Sequence, residues 1–202
     1  MKWPAFPLLF ACSAGAPLHA GEQEIPVAVE PRHVWELSAE TLQTVGVDDS
    51  GNDYFATQFI SVTVEPFRPL VAGPVTMRLQ LVNSFVVSAI LDGPDHYFLG
   101  WAPGLRVILP LGASGWSLYG NFAAGLGAAD ADAGDPDDRG FGQSFNYLLS
   151  ASAGVRRALS PSWSVWAGGA WLHLSNGNMS EPRKENIGVD SFGVVVGAGW
   201  AF

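Results

Sequence analysis

Along most of this chain apolar and polar residues alternate with period two, in short runs broken by Gly, Pro, Asp and Asn. That period sends successive side chains to opposite sides of an extended backbone, so each run reads as a strand with one apolar and one polar face. Eight such segments begin near His33, Asp53, Thr76, His96, Trp116, Gln143, Ser162 and Ile187. In MRLQLVNSFVVSA, Met77, Leu79, Leu81, Phe85 and Val87 share a face, while Arg78, Gln80, Ser84 and Ser88 share the other. In WSLYGNFAAGL, Trp116, Leu118, Phe122 and Leu126 oppose Ser117, Tyr119 and Asn121. In FNYLLSASAGVR, Phe145, Tyr147, Leu149 and Val155 oppose Asn146, Ser150, Ser152 and Arg156.

A soluble sandwich alternates in the same way, so the pattern leaves the solvent on the apolar side open. Composition changes that picture. The 202 residues are 48% apolar and only 14% charged, with 24 glycines, 8 tryptophans and 12 phenylalanines. An average soluble domain carries roughly 25% charged residues. Yet no apolar run reaches the ~18–20 residues of a membrane-crossing helix.

The two ends point the same way. Lys2 followed by WPAFPLLFACSAGA has the form of a secretory leader, with PLHA before Gly21 as the expected cleavage site. LFAC faintly resembles a lipoprotein signal at Cys12, but Phe10 is bulky for that role. Cleavage after Ala20 removes the single cysteine, leaving no disulfide to form. At the other end, GWAF with Phe202 last resembles the closing-strand signal of bacterial outer-membrane barrels.

The expected fold is all-β, an eight-stranded antiparallel transmembrane (outer-membrane) β-barrel. It would span 33–202, after a leader at 1–20 and a lead-in at 21–32. Lipid demands closure because a closed barrel leaves no backbone group unpaired. The net charge of −9, with only 10 Lys and Arg together, argues against nucleic acid as a partner. The acidic stretch ADADAGDPDDRG, Ala129 to Gly140, reads as a solvated outer loop, the third of four. A calcium site is the alternative reading there, although the EF-hand spacing is not met.

One segment carries candidate chemistry. WLHLSNGNMSEPRKENIGVDS sets His173 and Ser175 two apart at the top of the seventh strand and Asp190 near the top of the eighth. From Asp190 to Phe202, at ~3.3 Å per residue, is roughly 40 Å of strand, which at a tilt of about 40° climbs roughly 30 Å. That is just past the ~25 Å apolar band, so the three residues belong at the outer interface. On the eighth strand Asp190 shares a face with Phe192, Val194, Val196, Trp200 and Phe202, the lipid side. On the seventh, His173 and Ser175 share one with Trp163, Val165 and Trp171, although Trp166 and Leu172 on the other face weaken that assignment.

An imidazole beside a hydroxyl takes its proton and makes it a nucleophile, and an acid on the next strand fixes the imidazole tautomer. Asn176, Asn186 and the backbone N–H groups around Gly177 are candidate donors to an oxyanion. An arbitrary H-x-S pair is more often a polar strand end than a site. Neither metal nor cofactor is called for.

HLSNGN followed by NIGVDS resembles the lipid A 3-O-deacylase family of outer-membrane acyloxyacyl hydrolases. The likeness is specific over about Trp171 to Phe202 and architectural over the rest of the barrel. It implies Ser175 as nucleophile, His173 as base, Asp190 as orienting acid, and Asn176 and Asn186 as oxyanion-hole or loop-ordering residues. It also implies lipid A or lipopolysaccharide as substrate, membrane lipid as surroundings and the bacterial outer membrane as location, and leaves a homodimer open. Arg183 and Lys184 would then lie in a loop able to attract lipid A phosphates.

The chain departs from the family pattern in three places. The acid is Asp where Glu is usual, Asn178 stands where glycine is common, and the loop NMSEPRKE is a few residues longer. Outer-membrane phospholipase A is similar in carrying H-x-S-N-G, with Asn as third member. Several strands follow the motif in that larger barrel, whereas here the residues after Ser175 leave room for one.

Overall fold

The computed structural model describes residues 35–47, 54–92, 95–131, 141–180 and 188–202. The expected leader and lead-in, most of the acidic stretch, Arg183, Lys184 and Asn186 lie outside them. The described residues form β1 (Trp35–Gly46), β2 (Tyr54–Val64), β3 (Leu70–Ala72), β4 (Val75–Asp92), β5 (Tyr97–Pro110), β6 (Trp116–Ala129), β7 (Phe145–Ala158), β8 (Trp163–Ser175) and β9 (Val189–Ala201).

All pairings are antiparallel, and the sheet order β2-β1-β9-β8-β7-β6-β5-β4 is closed by pairing of β2 with β4. The result is an eight-stranded barrel. At the seam, β1 pairs with β9 from Glu36 opposite Ala201 to Gly46 opposite Ser191, and the Phe202 N–H donates to Trp35 O at 3.0 Å. A closed sheet leaves no edge, so each barrel strand finds backbone partners on both sides.

The alternation read from sequence is the inside–outside alternation of the wall. Leu81 and Phe85 on β4, Leu118 and Phe122 on β6, and Phe192, Val194 and Val196 on β9 are exposed on the outer surface. Gln80, Ser84 and Ser88 of β4 and Tyr119 of β6 are buried inside. Lipid accepts the first set at no cost, and the second must find partners within. Thr57 and Ser88 meet at 2.7 Å, and Ser61 and Ser84 at 2.8 Å.

The side-chain-filled interior of a barrel this size has room for charge only if it is paired. Arg106 bonds Glu36 and Glu40, and Arg156 bonds Glu36 and Ser164. The guanidiniums of Arg106 and Arg156 lie 4.8 and 5.2 Å from the Trp166 ring centroid. This settles the face of β8: Trp166 and Leu172 point inward with Ser164, and Trp163, Val165, Trp171, His173 and Ser175 line the outer side.

Strand β3 departs from the eightfold expectation. Leu70, Val71 and Ala72 pair with Met77, Thr76 and Val75 as a short hairpin beside the start of β4. All three residues are exposed and carry no alternation, and prolines flank them, so nothing in the pattern marks a strand there.

Candidate active site

β8 and β9 are antiparallel neighbours, and their register sets His173 directly opposite Asp190. Opposed residues on one face bring their side chains together, so the register alone delivers the acid to the imidazole. His173 Nδ1 stands 3.1 Å from Asp190 Oδ1, and His173 Nε2 stands 3.0 Å from Ser175 Oγ. The three residues thus form one unbroken line of hydrogen bonds on the outer face. Side-chain exposure is 25% for His173 and 44% for Asp190, so the line is half open to its surroundings.

The backbone of the acid is tied as well. The Val47 N–H, just past β1, donates to Asp190 O at 3.0 Å. On the far side of β8, Tyr147 of β7 lies opposite Ser175 and Leu149 opposite His173. Gly188 faces the pair closely: a Cβ there would lie 3.0 Å from Ser175 Cβ and 3.3 Å from His173 Cε1. Any larger residue would press on the hydroxyl and the ring.

The chain after Ser175 turns sharply. Gly177 at φ 63° and Asn178 at φ 65° are both left-handed. Glycine enters that region freely and Asn tolerates it better than other side chains, which is why a residue common as glycine can be Asn here. Asn176 is fully buried, and its Nδ2 donates to Phe141 O and Ser180 Oγ, both at 2.8 Å. The Phe141 N–H in turn donates to Asp95 Oδ2 at 2.8 Å. Asp95 precedes β5 and Phe141 precedes β7, so residues from three connections hold the turn that follows Ser175.

Beside them Asp130 accepts from the backbone N–H groups of His96 and Tyr97 at 2.8 and 3.0 Å, and lies 3.0 Å from His96 Nδ1. Burial alone would raise the Asp130 carboxyl, but these donors outweigh it and hold the group below its ordinary range.

Of the sequence candidates, the structure brings Ser175, His173 and Asp190 into mutual contact. It places Gly177 in the adjoining turn and turns the Asn176 amide inward to that turn's support. Asn186 lies outside the described residues. Sequence reasoning took Trp171 for an apolar neighbour. Its indole Nε1–H donates to Asp190 Oδ1 at 2.8 Å, and its ring stacks on His173 with centroids 6.0 Å apart and planes at 25°. The signal was present in W-x-H-x-S, which places a donor two residues before the imidazole on the same face. Asp95 and Phe141 were not singled out either.

A hydroxyl bonded to an imidazole that is bonded to a carboxylate is a constellation with which acyl transfer can be carried out. It faces outward beside Tyr147 and Phe192, which are 42% and 54% exposed.

A family model described as lipid A 3-O-deacylase matches residues 74–198, which include every member of this constellation. Compared sequence against sequence, no curated protein matches the chain. Among solved structures, the outer-membrane enzyme PagL is similar at 19% identity and a TM-score of 0.55, over 80% of this chain and 97% of that one. Neisserial surface protein A matches at 16% identity and a TM-score of 0.49, over 83% of this chain and 97% of its own. The attachment invasion locus protein Ail of Yersinia pestis matches at 16% and 0.44, over 84% and 99%. The likeness to PagL shows the fold: a transmembrane β-barrel of the outer-membrane kind.

Proposed function

The chain belongs to the lipid A 3-O-deacylase family, and from that premise we propose that it is a serine esterase of the bacterial outer membrane. It removes the ester-linked acyl chain at the 3-O position of lipid A, working at the outer-leaflet interface, and it reaches that membrane by means of the leader at 1–20. The observation that carries this reading is the outward-facing line from Asp190 through His173 to Ser175.

In this mechanism Ser175 Oγ attacks the ester carbonyl carbon as His173 Nε2 takes its proton. Asp190 holds the imidazole in the Nδ1–H tautomer and stabilises the imidazolium that forms. Backbone N–H groups around Gly177 receive the negative charge on the carbonyl oxygen, in a turn that Asn176 keeps in shape. The tetrahedral adduct collapses, and the sugar hydroxyl leaves with the proton from His173. Water, deprotonated by His173, then cleaves the acyl-serine and frees the fatty acid. Nucleophile, base and acid all come from one barrel, so the reading does not call on a second copy.

Such a trio is costly beside lipid unless it acts on something delivered there. Lipid A presents ester-linked chains at that depth, while a soluble ester does not. The test is a mass spectrum of lipid A from cells expressing the protein or its Ser175→Ala variant. Loss of one ester-linked hydroxyacyl mass with the first and not the second is expected. Hydrolysis of glycerophospholipids with lipid A untouched would replace this reading by a phospholipase.

A further inference from the structure

We propose that Trp171 is a positioning residue for this reaction, acting through its indole N–H on Asp190; the inference rests on the roles assigned above to Ser175, His173 and Asp190. Trp171 Nε1 donates to Asp190 Oδ1 at 2.8 Å, and the same oxygen lies 3.1 Å from His173 Nδ1. One carboxylate oxygen is therefore held by two side chains of β8.

The geometry explains why a second holder matters. Asp190 is short and its side chain is 44% exposed, so each bond to it narrows how far it can turn toward its open surroundings. Trp171 stands on the strand carrying the base and lies opposite Phe192 of β9, and its ring is stacked on the imidazole at 6.0 Å. An indole has one donor and no acceptor, so the contact admits only an orientation that points a carboxylate oxygen at it. Trp163 and Trp200, facing one another on the same two strands, mark the far end of the outer face and lie well away from this carboxylate.

A tryptophan that merely contacts the acyl chain predicts something different, and a double-mutant cycle separates the two. Turnover on lipid A in detergent micelles is measured for the full chain, Trp171→Phe, Asp190→Ala and the pair. Trp171→Phe keeps a stacking ring and loses the donor. It should lower kcat by about tenfold, the scale of one charge-assisted hydrogen bond, with little change in KM. In the Asp190→Ala background it should cost nothing more. Equal losses in both backgrounds, or a loss confined to KM, overturn the proposal.

A second measurement needs no turnover. In 15N-indole-labelled Ser175→Ala protein, the Trp171 resonance, identified by its disappearance in Trp171→Phe, should shift on Asp190→Ala. An indole indifferent to Asp190 overturns the proposal even if Ser175→Ala is inactive. Full activity in Ser175→Ala would instead sink the catalytic reading while leaving the indole shift in place.

Discussion

Two places in this barrel set a tryptophan against carboxylates and nitrogen bases. Inside, Trp166 lies between Arg106 and Arg156, whose guanidiniums bond Glu36 and Glu40. Outside, Trp171 lies against His173 and Asp190, with Ser175 at the end of the line. The inner group is sealed: Arg106 is 1% exposed, and Glu36 and Glu40 are each 4% exposed. Its charges close on one another, and a guanidinium does not give up its proton. The outer group is half open, its nitrogen ring is an imidazole, which can be donor or acceptor, and it ends on a hydroxyl. Similar residue types hold the wall together in one place and, on the function proposed above, carry out chemistry in the other. The choice of base and the access of solvent decide between the two.

The comparison breaks most sharply at the hydroxyl. Ser175→Ala and His173→Asn should each lower turnover by more than about a thousandfold, and the double variant should be no worse than either, because nucleophile and base act as a unit. Single-turnover assays on purified lipid A check this. Comparable rates in Ser175→Ala and the parent chain would make the outer group as structural as the inner one.

The acid comes next. Asp190→Asn should leave the barrel folded while cutting kcat by about a hundredfold or more, since an amide cannot stabilise the imidazolium. Near-full activity with the barrel intact would leave a His173–Ser175 dyad. Unfolding of that variant would make Asp190 a tie for β9 instead. Asp190→Glu sharpens the point: it should be tolerated if the strand positions keep the family geometry, and slow the reaction modestly if the Asp190 backbone stands closer to His173.

The inner group should show the reverse pattern. Arg106→Met takes the guanidinium from Glu40 and leaves Glu36 to Arg156, and should destabilise the barrel by about 3–5 kcal/mol, read from urea unfolding in micelles. The kcat of the molecules that remain folded should change by less than about twofold, because the two groups are separate. A collapse of kcat without loss of stability would show that the interior charges reach the site.

The smallest effect belongs to Asp130, whose carboxyl is held below its ordinary range by the donors of His96 and Tyr97. A depressed carboxylate stabilises the fold above its unfolded pKa, about 3.9, and that contribution fades as pH falls through the lower folded value. Asp130→Asn should therefore lower Tm slightly near neutral pH, with the gap closing in acid. A gap that persists or widens in acid would contradict the sign.

The wall was largely legible in the sequence because lipid outside and packing inside impose a period of two on every strand. The segments beginning near Trp116 and Ser162 appear as strands from Trp116 and Trp163. For Ser175, His173 and Asp190, alternation and strand length gave a shared outer face at one height, and the grouping into a line came from the family resemblance of HLSNGN and NIGVDS. What lay between strands was not legible. Asp95, Phe141 and Asn176 meet through single hydrogen bonds between connections far apart in the chain, and such bonds leave no period behind. Trp171 was misjudged because an indole is both apolar and a donor, and alternation registers only the first property.

The bond from Val47 to the Asp190 carbonyl joins the acid's backbone to the closure of the barrel. Asp190 sits on the seam of the barrel, on a strand whose one edge is β8 and whose other edge is β1. Where β1 meets β9, the joint that closes the wall is also the one that fixes the backbone beneath the acid.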